Sequence, residues 1–201
     1  MQNHFDLSAA NWDTPLRIER AQTIADFIIP RIKHFKNPVG LEFGAGTGLL
    51  SFALANYFQS ILLVDTSAEM IKQANQKINN LNVSNLKTLF IDLDSQDLKN
   101  KSIDIIFCQM TLHHIQNIEK LFQKFYKILK NKGMLVIADL YPEDGSFHTN
   151  ENTFVHKGLD PQILSENLDK IGFSNTEYFP CLEITKENNK KYPVFILFSY
   201  K

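Results

Sequence analysis

The chain has 201 residues, 44% apolar and 21% charged, which suits one soluble domain with a full hydrophobic core. Its formal net charge of −1 speaks against a nucleic-acid groove or an anionic membrane as partner, since both select a basic excess. Two cysteines, Cys108 and Cys181, make no disulfide framework, no basic-then-apolar leader opens the chain, and no apolar run is long enough to span a membrane, so a cytoplasmic location is expected.

Pro15 suits the first turn of a helix predicted over 15–34, with Ala21, Ile24, Ala25, Ile28 and Ile32 along one face. A short apolar run over 39–43 meets a glycine turn, and a helical run follows over 49–58. Residues 60–65, SILLVD, read as a strand ending on a carboxylate; Thr66 to Glu69 then reads as a capping box opening a helix through Ile71, Ala74 and Ile78. Further strands are predicted over 86–92, 103–108 and 134–140. Between the last two, Ile118, Leu121, Phe122, Phe125, Ile128 and Leu129 form a helical stripe that Asn131, Lys132 and Gly133 should stop.

Five apolar strands alternating with helices predict an α/β fold, a doubly wound and mostly parallel sheet with helices on both faces. Near the end, Asp160 and Pro161 open a helix that Gly172 closes, and two β-like runs follow over 173–184 and 193–200. The polar segment between them is too short for a helical crossover, so they should pair as an antiparallel hairpin and complete seven strands. Residues 141–159 form a polar stretch without periodicity, a length that usually serves a function. The whole of 1–201 reads as a single domain.

Three of the eight glycines, Gly44, Gly46 and Gly48, stand at alternate positions in the turn after the first strand. Such a cluster implies an unusual backbone conformation or an approach that a Cβ would block. The turn lies at the carboxyl end of a parallel strand, as do Asp65, Asp92 and the segments after Cys108 and Leu140, and ligands of open α/β sheets bind at those ends. A dinucleotide fingerprint would place a third glycine where Leu49 stands, and a phosphate loop would need a lysine after Gly48. Neither is present.

These residues resemble the class I S-adenosylmethionine-dependent methyltransferases. LEFGAGTG looks like the family's first motif, LLVDTS its second, FIDLD its third, SIDIIFCQMTLHHI its fourth and LKNKGMLVIADL its fifth. The resemblance implies a Rossmann-like methyltransferase fold with S-adenosyl-L-methionine as cofactor and S-adenosyl-L-homocysteine as product. It implies that the backbone at Gly44, Ala45, Gly46 and Gly48 lies against the methionyl and ribose parts, with Glu42 favouring the cationic end. Asp65, with Thr66 beside it, would accept from the ribose hydroxyls, since an ionised carboxylate offers several lone pairs. Asp92, with Asp94 as close competitor, would accept from the adenine amino group, the Leu93 amide would meet a ring nitrogen, Met70 would pack on the adenine, and Gln109 and Met110 would line the floor beneath the sulfonium.

Methyl transfer from a sulfonium is an in-line displacement in which alignment supplies much of the acceleration. A base matters only where the acceptor must lose a proton. His113 and His148 are the candidates for that role, with His114 after the fourth strand and Tyr141 and His156 in the 141–159 region beside the acceptor. FDLSAANWDTPLRIERA resembles the W-D segment before the core of some small-molecule members, whose helix caps the cofactor pocket, which makes Trp12, Asp13 and Arg17 candidate contacts within a cap region over 1–36. No recognised metal-ligand spacing occurs, so no metal is expected. The N-P-P tetrapeptide of amino-group nucleic-acid methylases is missing after strand four, where QMTLHH stands, which favours a small-molecule acceptor. Two other readings stay open: a non-catalytic module that binds S-adenosylmethionine or its product, and a nicotinamide-dependent reductase. Oligomeric state is not legible from the sequence.

Overall fold

A computed structural model describes residues 4–93, 95–148 and 154–201. Seven strands form one sheet: β1 (Val39–Phe43), β2 (Ser60–Asp65), β3 (Leu86–Phe90), β4 (Ile103–Gln109), β5 (Leu129–Leu140), β6 (Ser174–Thr185) and β7 (Lys191–Tyr200), in the order β3-β2-β1-β4-β5-β7-β6. The first five run parallel, and β7 is antiparallel to both β5 and β6. The strand order reverses between β1 and β4, which sets the ligand crevice of a doubly wound sheet at their carboxyl ends.

Six helices cover the sheet: α1 (His4–Ser8), α2 (Pro15–Ile32), α3 (Leu49–Leu54), α4 (Ala68–Leu81), α5 (Ile118–Ile128) and α6 (Pro161–Ile171). Burial on both faces explains why the central strands are apolar, whereas the edge strands β3 and β6 are largely exposed. Along β4, Ile105 and Phe107 join the core that includes Ile24, Ile28 and Leu54, while Ile106 and Cys108 join the opposite core with Phe122, Phe125 and Phe195. No helix of the described residues is long and apolar enough to cross a membrane.

Two local expectations are corrected, and one helix without a sequence signal is added. The α5 stripe ends at Ile128, and the fifth strand begins at Leu129 rather than after Gly133, because Leu129 is fully buried and pairs with Ile103. A register irregularity between Ile103 and Ile105 accompanies this early start. The cap of α4 is Ser67, not Thr66: Ser67 Oγ accepts from the Met70 amide, while Thr66 is exposed. The short α1 carries too few apolar positions to be seen as a pattern, yet it is helical.

Phe107 is fully buried and its ring centroid lies 5.7 Å from that of Phe58. Phe107→Ala should lower the unfolding free energy by about 3–5 kcal/mol, measured by urea denaturation, as expected for truncating a buried aromatic.

Candidate active site

The glycine turn is built by two different demands. A Cβ on Gly44 would lie 2.2 Å from Thr111 Cγ2, and one on Gly48 would lie 2.5 Å from Leu63 Cδ2, so close packing of the protein itself requires both glycines. At Gly46 a Cβ would meet only Trp12 Nε1 at 3.7 Å and Met70 Sδ at 3.8 Å. There is room for a methyl there, but the positive φ strains any side chain, and larger ones fill the space between Trp12 and Met70. Gly46, at φ +54°, also donates its amide to Asp65 Oδ2 at 2.7 Å, which ties the turn to the end of β2.

Glu42, in β1, is completely buried. Its Oε2 accepts from the Ser51 amide at 3.0 Å and the Ser51 hydroxyl at 2.5 Å, while Oε1 has no partner. Burial pushes its pKa up to about 8 against those two hydrogen bonds. Gln109, at the end of β4, likewise has a buried Oε1 without a partner. Two buried side-chain oxygens without partners among the described residues, at neighbouring strands, are costly and suit a ligand rich in hydrogen-bonding groups. Met110 follows with φ +51°, a strained conformation for a non-glycine residue.

Asp65 accepts the Gly46 amide on one oxygen and the Ser67 amide, at 2.8 Å, on the other. Burial raises its pKa, with those amide hydrogen bonds opposing the shift. Met70 is buried behind the turn. Asp92 is exposed and accepts from Ser95 Oγ at 3.1 Å, beside the buried Leu93; its sequence competitor Asp94 lies outside the described residues.

The N-terminal segment lies across these strand ends and is held by polar contacts that sequence patterns did not reveal. Ser67 Oγ donates to Asp6 Oδ1 at 2.6 Å, Thr47 Oγ1 donates to Asp13, and Lys77 pairs with Asp13 at 2.7 Å. The Arg17 guanidinium sits 4.0 Å over the Trp12 ring and donates to the Trp12 carbonyl at 2.9 Å. Phe5 packs edge-on against both Trp12 and His114.

Opposite this segment, a histidine cluster joins the turn after β4 to the segment after β5. Ring centroids lie 4.2 Å apart for His113 and His114, 5.0 Å for His113 and His148, and 4.9 Å for His114 and His148. His114 is driven down to about 3 and His148 to about 4, by burial first and by neighbouring histidines second. Both are neutral at physiological pH and weak as proton acceptors.

Beneath the cluster is a residue that the sequence reading did not select, Asp139 of β5. It is fully buried, its Oδ1 lies 2.5 Å from His113 Nδ1, and its Oδ2 accepts the Leu112 amide at 2.9 Å and the Thr111 amide at 3.2 Å. Burial alone would raise its pKa, but the His113 ring and backbone donors bring it below the ordinary aspartate value. The available signal was a lone carboxylate inside an otherwise apolar strand end, MLVIADL.

The remaining candidates are more peripheral. Tyr141 is half-buried, with its ring 5.3 Å from that of Phe195. His156 directs Nε2 to the Ile115 carbonyl at 2.9 Å and donates its amide to the His113 carbonyl at 2.7 Å, bracing the post-β4 turn from behind. Within the 141–159 stretch, residues 149–153 lie outside the described residues, as do residues 1–3 of the N-terminal region. A surface cavity of about 370 Å³ lies elsewhere, beside Lys99, Lys124 and Lys127.

Because the folded-state pKa of Glu42 is raised, its contribution is fully present below about pH 4.5 and is lost as pH rises toward about 8. Glu42→Gln cannot ionise, so between pH 5 and pH 8 its stability should gain on the natural chain by roughly 2–4 kcal/mol, measured by urea unfolding at both pH values. Parallel pH dependence of the two proteins would contradict the burial argument. Asp139→Asn breaks a buried pair and should cost about 3–5 kcal/mol in the same assay.

Comparison with known proteins agrees with this geometry. Residues 41–137, from β1 into β5, match a family model described as a methyltransferase domain. An uncharacterized methyltransferase of Schizosaccharomyces pombe is 29% identical over 152 residues, covering 68% of this chain and 54% of that protein. A malonyl-[acyl-carrier protein] O-methyltransferase of Ilyobacter polytropus is 32% identical over 125 residues, covering 61% and 46%. The chain thus spans about half the length of these relatives. The crystal structure of an S-adenosylmethionine-dependent methyltransferase from Aquifex aeolicus superimposes with a TM-score of 0.73 at 16% identity, over 97% of each chain, and shares the fold. The family-model match over residues 41–137, the methyltransferase relatives and the shared fold together support a class I S-adenosylmethionine-dependent methyltransferase.

Proposed function

We propose that this chain moves the methyl group of S-adenosylmethionine to a small organic acceptor by in-line displacement, with residues 1–201 acting as one domain and residues 1–36 as its cap. The observation that carries this reading is the bend at Gly46. It faces the space between Trp12 and Met70, beside Asp65 and the two buried oxygens Glu42 Oε1 and Gln109 Oε1. S-adenosylmethionine brings an ammonium, a sulfonium, two ribose hydroxyls and an exocyclic amine, and no phosphate. Acceptor-rich, lysine-poor surroundings suit that set of groups.

On this reading the backbone of Gly44, Ala45, Gly46 and Gly48 holds the methionyl part, and Glu42, protonated in its buried setting without a ligand, ionises against the incoming ammonium. The remaining lone pairs of Asp65 accept the ribose hydroxyls, with Thr66 beside them. Met70 packs on the adenine, Asp92 accepts from its amine and the Leu93 amide donates to a ring nitrogen. Gln109 and Met110 lie under the sulfonium, where the bound cofactor supplies an already activated methyl group. The acceptor then sits on the side of His114, Tyr141 and His156, closed over by Trp12 and Arg17, with His113 and His148 nearest its reacting atom. The name of the Ilyobacter relative, an O-methyltransferase, supports an oxygen acceptor.

The match of residues 41–137 to a methyltransferase-domain model speaks against the nicotinamide-dependent alternative. The non-catalytic binding module keeps one supporting observation, since His114 and His148 are both poor proton sinks. A panel of hydroxy and carboxylic acids incubated with S-adenosylmethionine and read by mass spectrometry separates the two: a methylated product supports the transferase, and binding without product supports the module.

Calorimetry tests the cofactor site directly. Asp65→Ala should weaken binding of S-adenosylhomocysteine by about 1.5–3 kcal/mol, the range for hydrogen bonds to a charged group. Gly46→Val should weaken it further while circular dichroism stays native. Normal binding by a folded Gly46→Val protein, or no saturable binding by the natural chain, would sink the proposal.

A further inference from the structure

We infer that His113, His114 and His148 form a three-imidazole site for a divalent transition-metal ion of the zinc class. One ring nitrogen from each residue lies within 4.8 Å of the other two. Tetrahedral zinc with bonds of about 2.0–2.1 Å needs its ligand nitrogens about 3.3 Å apart, so the site must contract by roughly 1.5 Å at its widest edge. His114 and His148 are only part-buried, and rotation of their side chains supplies that movement.

Three independent features of the cluster point to an ion rather than to ring packing alone. Among the described residues, His148 Nε2 is buried and has no hydrogen-bond partner, a costly state that a metal would relieve. His113 has Nδ1 fixed on the buried Asp139 carboxylate, leaving Nε2 as its ligand atom. A carboxylate behind a histidine is the arrangement that orients metal-bound imidazoles and raises their basicity. The surroundings are aromatic: Phe5 packs on His114, and Phe147 packs on His113 and His148.

The donor set selects the metal. Calcium and magnesium require oxygen ligands, whereas imidazole suits zinc, cobalt, nickel and copper. Three protein ligands leave a fourth position for water or for an oxygen or sulfur of another molecule, the pattern of catalytic rather than structural zinc sites. The sequence concealed this site because its ligands come from two segments. His113 and His114 are adjacent, and His148 arrives from beyond β5 with no motif spacing. The ion's use in activating an acceptor rests on the methyl-transfer reading; the ion's binding does not.

The test uses the full chain stripped with a chelator and titrated with Co²⁺, followed by its visible absorption, and with Zn²⁺ in competition. The expected result is one Co²⁺ per chain, with the intense spectrum of a four- or five-coordinate ion that Zn²⁺ abolishes. His148→Ala should lose that spectrum, and Asp139→Asn should weaken binding about 10–100-fold, the usual effect of removing a partner behind a metal ligand. His156→Ala, whose ring is committed to Ile115, should keep it. Should Asp139→Asn fail to fold, the natural chain and His148→Ala decide the matter. No spectrum from the natural chain, a six-coordinate spectrum, or an unchanged spectrum in His148→Ala would overturn the site. Calorimetry with S-adenosylhomocysteine on the same stripped protein keeps the outcomes apart: nucleoside binding without cobalt binding removes the metal and leaves the methyltransferase reading, and the reverse result does the opposite.

Discussion

A single buried carboxylate, Asp139, sets the geometry around which the crevice is arranged. It stands in β5, where neighbouring side chains are apolar and water is excluded, so it is stable only if its lone pairs are filled. They are filled by the amides of Thr111 and Leu112, by the amide of Leu140 and by the His113 ring. The turn after β4 therefore has one conformation available to it. Thr111, held in that turn, has its hydroxyl 2.8 Å from the Gln109 carbonyl and 3.3 Å from the Gly44 carbonyl, and its side chain occupies the space where a Gly44 side chain would be. The order imposed on β5 reaches β1 through one threonine.

The opposite wall is fixed by a second set of polar contacts. Asp65 binds the Gly46 and Ser67 amides, and Ser67 in turn reaches Asp6 in α1. Asp13 joins Thr47 to Lys77. The N-terminal segment thus rests on the same residues that shape the turn, so its closure and the form of the cofactor crevice are physically connected. Exposed ion pairs such as Lys190–Asp144 contribute little beside these, because solvent screens them.

The sheet was legible because both of its faces are buried. Strands sealed on two sides must be apolar throughout, as in SILLVD and IDIIFC, and the helices between them must show an apolar stripe every third or fourth residue. Where that logic weakens, the reading weakened too. Leu129 satisfies a helix stripe and a buried strand equally well, and only its pairing with Ile103 gives it to β5. Thr66 and Ser67 are both good caps, and the choice fell to Ser67, whose hydroxyl accepts from the Met70 amide and donates to Asp6.

The site divides along the same line. Gly44, Gly46 and Gly48, Asp65 and Glu42 announce themselves locally, since glycines and carboxylates at strand ends are rare unless the backbone or a ligand needs them. Which glycine faces the crevice, which oxygen of Glu42 is orphaned, and which histidines meet depend on atoms far away in the chain: Thr111 against Gly44, Trp12 over Gly46, His148 against His114. Periodicity and short motifs record the interactions between residues close in sequence and the need to bury apolar faces. They carry no record of which distant side chains share a cavity, and that sharing turned Asp139 and the three histidines from isolated residues into a site.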